Sequence, residues 1–138
     1  MRRMLAGVGV VAAACGLLVW GCGPKAPKPE APRPAVSDQL SGQVLDGTRE
    51  VKVEAKRWAF DPSRIVVKKG EKVRLVVTSV DVKHGLGLEA FNINQDLPPQ
   101  QPQTIEFTPD KAGEFEFHCT VFCGAGHGEM KGTLVVQE

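Results

Sequence analysis

The sequence predicts an all-β domain, an antiparallel sandwich or barrel, over its C-terminal two-thirds. Three observations carry this expectation. At 51–56, Val51, Val53 and Ala55 alternate with Lys52, Glu54 and Lys56, the period-2 pattern of a half-buried strand. Further short runs rich in β-branched and aromatic residues follow at close intervals, each bounded by Gly, Pro or Asp. No helical period appears after residue 50.

In chain order, 64–68 and 72–78 are β-branched runs separated by Lys69-Gly70-Glu71, and they read as neighbouring strands joined by a tight turn. The stretches 104–107, 114–118 and 133–136 repeat the strand pattern. Asp61-Pro62, Pro98-Pro99, Pro109-Asp110 and the glycines at 124–128 punctuate the series. About 90 residues suffice for a single core, and a bound metal would add to its stability. The domain is expected over 51–138.

What precedes it reads as an address and a spacer. Arg2 and Arg3 lead an apolar run over 4–20 that ends in Gly21-Cys22, the outline of a secretory signal. A cysteine directly after glycine at the end of such a run resembles the lipobox of bacterial lipoproteins, which makes Cys22 the expected lipidation site. An uncleaved span is the alternative, since 4–22 as a helix is about 28 Å long, enough to cross a bilayer. Both readings tether the chain to a membrane on its extracytoplasmic side. Cys15 lies inside the apolar run and has no expected role in the mature protein. Residues 23–36 contain five prolines in 14 positions, which favours an extended spacer. The polar stretch up to residue 50 is read as more of that linker, 23–50 in all, or as a short element covering the domain.

Composition removes whole classes of function. With 17 basic and 16 acidic residues the net charge is +1, which offers no electrostatic footprint for nucleic acid. No nucleophile–base pair, phosphate-binding loop or pair of acids stands out, so no catalysis is expected from this chain alone. Charge is uneven along the chain. Residues 49–83 carry ten basic and five acidic side chains, whereas 102–138 carry two basic and six acidic. An acidic surface near the C-terminal loop would steer a basic redox partner.

The chemistry sits in that loop, CTVFCGAGHGEM. Cys119, Cys123, His127 and Met130 place two thiols, an imidazole and a thioether within twelve residues. Soft donors of this kind favour a redox-active metal, copper before zinc. The glycines at 124, 126 and 128 allow a tight fold that turns the donors inward. Phe115, Phe117 and Cys119 share one parity on the preceding strand, so Cys119 points into the core if the phenylalanines do. His118 then points the other way and reads as an exposed neighbour of the site. A further ligand from elsewhere is expected, and His84, just after the 72–78 strand, is the candidate. Trp58 and Phe60 read as core residues before they read as an electron relay.

With these ligands at these spacings, the chain resembles the dinuclear copper (CuA) cupredoxin domain of cytochrome c oxidase subunit II, and more distantly that of nitrous oxide reductase. The matching pieces are TSVDVKHG, FNIN, KAGEFEFHC, CxxxCGxGHxxM and the closing GTLVV, across 51–137. The resemblance implies a cupredoxin-like Greek-key sandwich holding two copper ions. Cys119 and Cys123 would bridge them as thiolates, and His84 and His127 would bind one each. Met130 would be a weak ligand to one ion and the backbone carbonyl of Val121 a weak ligand to the other. Valine stands at 121 where the family often has Glu or Gln, which matters little if the carbonyl is the ligand.

The resemblance also implies the function: one-electron transfer from a c-type cytochrome or similar redox protein to a membrane or periplasmic acceptor. One alternative makes the chain subunit II of a haem–copper terminal oxidase, partnered by subunit I. Another is copper delivery or storage, against which stands the single methionine, Met130, outside the leader. A Cys119–Cys123 disulfide or a mononuclear blue-copper site are the simpler readings of the loop. The disulfide leaves both histidines and Met130 unexplained, and the single-copper site leaves the second cysteine unexplained.

Overall fold

The computed structural model describes residues 39–138. The signal or anchor at 1–22, the lipidation site Cys22 and the proline-rich stretch at 23–36 lie outside the described residues. Ten strands form: β1 (Gln43–Leu45), β2 (Thr48–Lys56), β3 (Ala59–Asp61), β4 (Arg64–Lys68), β5 (Lys72–Ser79), β6 (His84–Leu88), β7 (Ile93–Leu97), β8 (Gln103–Phe107), β9 (Gly113–His118) and β10 (Lys131–Gln137). Short 3₁₀ turns at Glu89–Phe91 and His127–Glu129 are the only helical elements among the described residues.

The strands make two five-stranded sheets. One runs β1-β2-β5-β8, with β3 also on β2, and the other runs β4-β10-β9-β6-β7. The alternation seen in the sequence decides which side chains meet between them. Val51, Val53, Ala55, Val73, Leu75 and Val77 are buried on the first sheet, while their neighbours Lys52, Glu54 and Lys72 face solvent. Ile65, Val67, Leu86, Leu88, Phe117, Leu134 and Val136 are buried on the second. Removing each such side chain from water contributes about 1.5–3 kcal/mol, the main force that closes the sandwich. Phe60 and Phe117 lock the layers together edge to face, with ring centroids 5.2 Å apart.

The fold is the all-β sandwich the sequence implies; β3, β6 and β7 add to the strands read there, and two further differences concern pairing and the start of the domain. The strands at 64–68 and 72–78 do not pair with each other. β4 lies parallel to β10 in one sheet and β5 lies parallel to β2 in the other, so the sheets are mixed. Each strand buries one face against the opposite layer, and the turn between them therefore crosses the sandwich. The second difference is upstream. Residues 39–50, read as polar linker, hold β1 and the start of β2. Ser41 explains the order there: its amide donates to the Val66 carbonyl at 2.7 Å and its Oγ accepts from the Val66 amide at 2.9 Å. That caps the open edge of β4 and buries Val66. Gly42 can be no other residue, because a Cβ would stand 2.0 Å from the Glu50 carbonyl oxygen.

A partly buried ion pair secures the crossing turn. Arg49 Nε donates to Glu71 at 2.7 Å, and the Lys68 amide donates to the same oxygen at 3.3 Å. The Arg49 guanidinium holds the Glu71 carboxyl below its ordinary value of 4.5, with the Lys68 amide assisting against the opposing effect of burial. A lowered carboxyl contributes stability that is fully present above the ordinary range and fades as pH falls through the lowered value. Glu71→Gln should therefore lower the unfolding free energy at neutral pH by about 2 kcal/mol. The deficit should shrink below about pH 4.5. Urea titrations at several pH values measure it, and a pH-independent deficit would contradict this assignment.

Candidate metal centre

Two segments distant in sequence meet at one end of the sandwich. The first is the exit of β5. Ser79 Oγ donates to the Val82 carbonyl, and the Val80 amide donates to Ala55 at 3.0 Å. The turn so formed delivers His84 to the start of β6, where it is completely buried. The second is the loop between β9 and β10. Its two ends are stitched together by the Cys119 amide donating to the Met130 carbonyl at 2.9 Å. The 3₁₀ turn inside it is held by the His127 amide on Gly124 and the Met130 amide on His127, both at 3.1 Å.

The close approach of β6 to this loop is what brings the segments together. A Cβ on Gly85 would lie 2.2 Å from Thr120 Oγ1, and one on Gly87 would lie 2.6 Å from Thr120 Cγ2. Any larger residue would push β6, and His84 with it, away from Cys119.

The sulfur and nitrogen donors then form a chain of near-contacts. His84 Nδ1 lies 3.8 Å from Cys119 Sγ, which lies 3.9 Å from Cys123 Sγ, which lies 3.7 Å from His127 Nδ1. Met130 Sδ is 3.8 Å from Cys123 Sγ, and the Val121 carbonyl oxygen is 3.2 Å from Cys119 Sγ. All six residues singled out in the sequence are thus in one place. The ligand atoms of His84, Cys119 and Cys123 lie within 4.8 Å of one another, a cluster that can hold a metal ion. Both cysteines are free thiols. Cys119, Cys123 and Met130 are buried, while His127 is half-buried at the surface.

Asp81 orients His84. Its Oδ1 accepts from His84 Nε2 at 2.7 Å and from the Val82 amide at 2.6 Å, and its Oδ2 accepts from the Arg57 amide at 2.8 Å. Burial pushes this carboxyl up, but the amides of Val82 and Arg57 and the imidazole outweigh it and hold it below its ordinary value. An ionised carboxylate only accepts, so Nε2 carries a proton toward Asp81, and Nδ1 is the ring nitrogen that faces Cys119. At Cys123, burial first and then the adjoining Cys119 push the thiol up to about 11.

Several neighbours differ from the sequence expectation. Phe60 is core, but Trp58 is 43% exposed and lies flat on the metal loop: a Cβ on Gly126 would meet its ring at 2.5 Å. His118 is half-buried, because Gly87 leaves room for its imidazole against β6. The acidic C-terminal surface is largely neutralised. Glu106, Glu114, Glu116 and Glu138 pair with Arg74, Arg64, Lys131 and Lys69, leaving Asp110 and Glu129. The sequence reading passed over Asp81, although it sits three residues before His84 inside the TSVDVKHG stretch.

Comparison with known proteins identifies relatives of this domain. A model of the cupredoxin-like domain matches residues 12–136. Cytochrome c oxidase subunit 2 of Thermus thermophilus is 38% identical over 104 residues, covering 74% of this chain and 77% of that protein. The subunit 2 of a second strain is also 38% identical, but the chain spans only 62% of its length. Nitrous-oxide reductase of Cupriavidus necator is 32% identical over 109 residues, with 75% of this chain matched to 17% of that one. Among solved structures, a haem–copper terminal oxidase dimer aligns with TM-score 0.63 and 26% identity over 76% of both chains. The periplasmic domain of cytochrome oxidase subunit II from Bradyrhizobium japonicum shares the fold, with TM-score 0.60 and 24% identity over 70% of this chain and 87% of that one.

Asp81→Ala should leave the buried Nε2–H of His84 without an acceptor and destabilise the chain by about 1–3 kcal/mol. A urea midpoint equal to that of the unsubstituted chain would show that Asp81 does not hold the ring.

Proposed function

The chain belongs to the cupredoxin-like family; from that membership we propose that it is an electron-transfer protein with a dinuclear copper centre, tethered to a membrane on its extracytoplasmic side. One observation carries the proposal above the others. Two thiols, each with its own imidazole nitrogen within 3.8 Å, stand 3.9 Å apart at a buried loop. A single-copper site has use for one of those thiols, whereas two ions between two bridging sulfurs have use for both.

The donor set suits copper. Cys119, Cys123, His84 and His127 would hold the ions through sulfur and nitrogen, with Met130 and the Val121 carbonyl as weaker donors. When bound, such a centre takes up and releases one electron at a time. The chain's own residues keep that exchange cheap in reorganisation. Asp81 fixes the His84 ring, and the Cys119–Met130 pairing fixes the loop. Buried Cys119, Cys123 and Met130 exclude water. A c-type cytochrome or similar redox protein is the donor under this reading, and Cys22 lipidation or an uncleaved 4–22 helix is the tether.

A second reading makes the chain subunit II of a haem–copper oxidase, working with subunit I. The similarity to the Thermus subunit 2 and to the terminal oxidase dimer favours it. Among the described residues no helix is long and apolar enough to cross a membrane.

Copper analysis of the loaded full chain should give two ions per chain, and Cys123→Ser should bind one at most. Two ions retained in that variant would overturn the bridging role. Loading should also release protons. The Cys123 thiol is neutral at pH 7 when its value stands at about 11, so copper must displace that proton. Apparent affinity should rise about tenfold per pH unit for each proton displaced, up to that value. Titration in weak buffer with a pH indicator reads this directly, and pH-independent uptake would contradict it.

A further inference from the structure

Between the two cysteines the chain is hydrogen-bonded to the rest of the fold at one point. The stretch 120–122 leaves the sheet just after the Cys119 amide has donated to the Met130 carbonyl at 2.9 Å. No backbone hydrogen bond then joins 120–122 to another of the described residues. Two side-chain hydrogen bonds reach it. Cys119 Sγ donates to the Val121 carbonyl at 3.2 Å, a bond internal to the loop. Thr120 Oγ1 donates to Asn94 Oδ1 at 3.1 Å, and this bond ties the stretch to a different strand, β7.

Thr120 is engaged through both branches of its side chain. Its Oγ1 stands 2.2 Å from where a Cβ of Gly85 would be, and its Cγ2 stands 2.6 Å from the same position on Gly87. The Val121 amide nitrogen is 3.2 Å from that Gly85 position, so the whole segment lies down on β6. Asn94 pairs opposite Gly87 in the sheet, which puts its side chain beside the gap the glycines leave. A threonine has few χ1 states. The bond to Asn94 selects the one that seats the methyl on Gly87. The other outward residue of β7, Asp96, reaches Lys83 at 2.8 Å and touches neither cysteine.

We propose that Asn94 is a positioning residue for the metal loop: through Thr120 it holds Cys119 and Val121 against β6, and so sets the approach of Cys119 to His84. The inference rests on the dinuclear copper reading and adds to it a residue that touches no ligand atom. Its effect is confined to one half of the donor set. Cys123, His127 and Met130 lie beyond 120–122, where the 3₁₀ turn has its own bonds, the His127 amide on Gly124 and the Met130 amide on His127. Loss of the Asn94 bond therefore loosens the His84–Cys119 half, leaves the other half in place, and makes the two copper positions unequal. The bond is exposed, so it contributes little to folding and its removal leaves a folded chain to measure.

The test uses the full chain in non-ionic detergent and two pairs of variants. Asn94→Ala removes the acceptor, whereas Asn94→Asp keeps an oxygen in its place. Thr120→Val keeps the branched shape without the hydroxyl, whereas Thr120→Ser keeps the hydroxyl without the methyl. In the copper-loaded chain, Asn94→Ala and Thr120→Val should release one of the two ions to an added chelator about tenfold faster. Their EPR hyperfine pattern should become uneven between the two nuclei. Asn94→Asp and Thr120→Ser should restore both readings. The double variant Asn94→Ala/Thr120→Val should be no worse than either single one, because the two changes remove one bond. Glu114→Ala, which removes an exposed ion pair with Arg64 on the same sheet, should change neither reading. Unchanged release and an even pattern in Asn94→Ala, no rescue by the conservative variants, or an equal effect of Glu114→Ala would overturn the proposal.

A measurement on the metal-free, freshly reduced chain separates this inference from the reading beneath it. Alkylation of Cys119 by iodoacetamide, followed by peptide mass, should be faster in Asn94→Ala and Thr120→Val than in the unsubstituted chain, with Cys123 unaffected. If the unsubstituted chain shows a one-copper spectrum, the dinuclear reading falls, and these rates alone decide the role of Asn94. Faster alkylation of Cys119 then upholds it, and an unchanged rate overturns it. Two equally shared coppers in every variant would overturn the inference and leave the dinuclear reading standing.

Discussion

Everything at the metal end depends on how closely β6 packs against the residues that follow β9. His84 and Cys119 are 35 positions apart. His84, Leu86 and Leu88 face the core, and only a strand whose opposite face lacks side chains can bring His84 to 3.8 Å from Cys119. Gly85 and Gly87 provide that, with Thr120 filling the space where their Cβ atoms would be. The hydrophobic sandwich is generic, and many apolar combinations of similar volume would hold it. The glycine–threonine contact is not, because a single methyl group there displaces His84 rather than leaving a cavity.

From that contact the remaining order follows outward. The Cys119–Met130 pairing closes the loop, and the turn after β5 points His84 inward. Asp81 then settles which ring nitrogen faces the sulfurs. The same carboxylate accepts from the Arg57 amide, so the β2–β3 turn is tied to the ligand-bearing turn. Trp58 in that β2–β3 turn covers Gly124 and Gly126. Ligand geometry and the outer surface over the loop are thereby parts of one hydrogen-bonded unit. Such coupling suits a site that must change charge without changing shape, since rigid donors leave little to rearrange.

Much of this was legible in the sequence, for identifiable reasons. β2, β5 and β10 alternate apolar and polar residues, and the loop carries its donors at fixed short spacings that need no tertiary information. His84 came from resemblance rather than from spacing, and the structure puts it beside Cys119. β6 was missed because HGLGL is buried on both faces and has no alternation to read. β1 was missed because its three residues are exposed. The pairing of β4 and β5 was misjudged because a short Gly-containing turn looks the same in sequence whether it makes a hairpin or crosses between sheets. Surface charge was legible only in part: four of the six C-terminal acids face bases from other strands, which a run along the chain does not reveal.

The central claim is that both cysteines serve one centre containing two copper ions, which share a single unpaired electron when the centre is oxidised. The EPR spectrum of the copper-loaded chain, recorded with its visible spectrum, tests this most directly. The account predicts a hyperfine pattern spread over two equivalent copper nuclei. A pattern from one copper nucleus, at full loading, would contradict it.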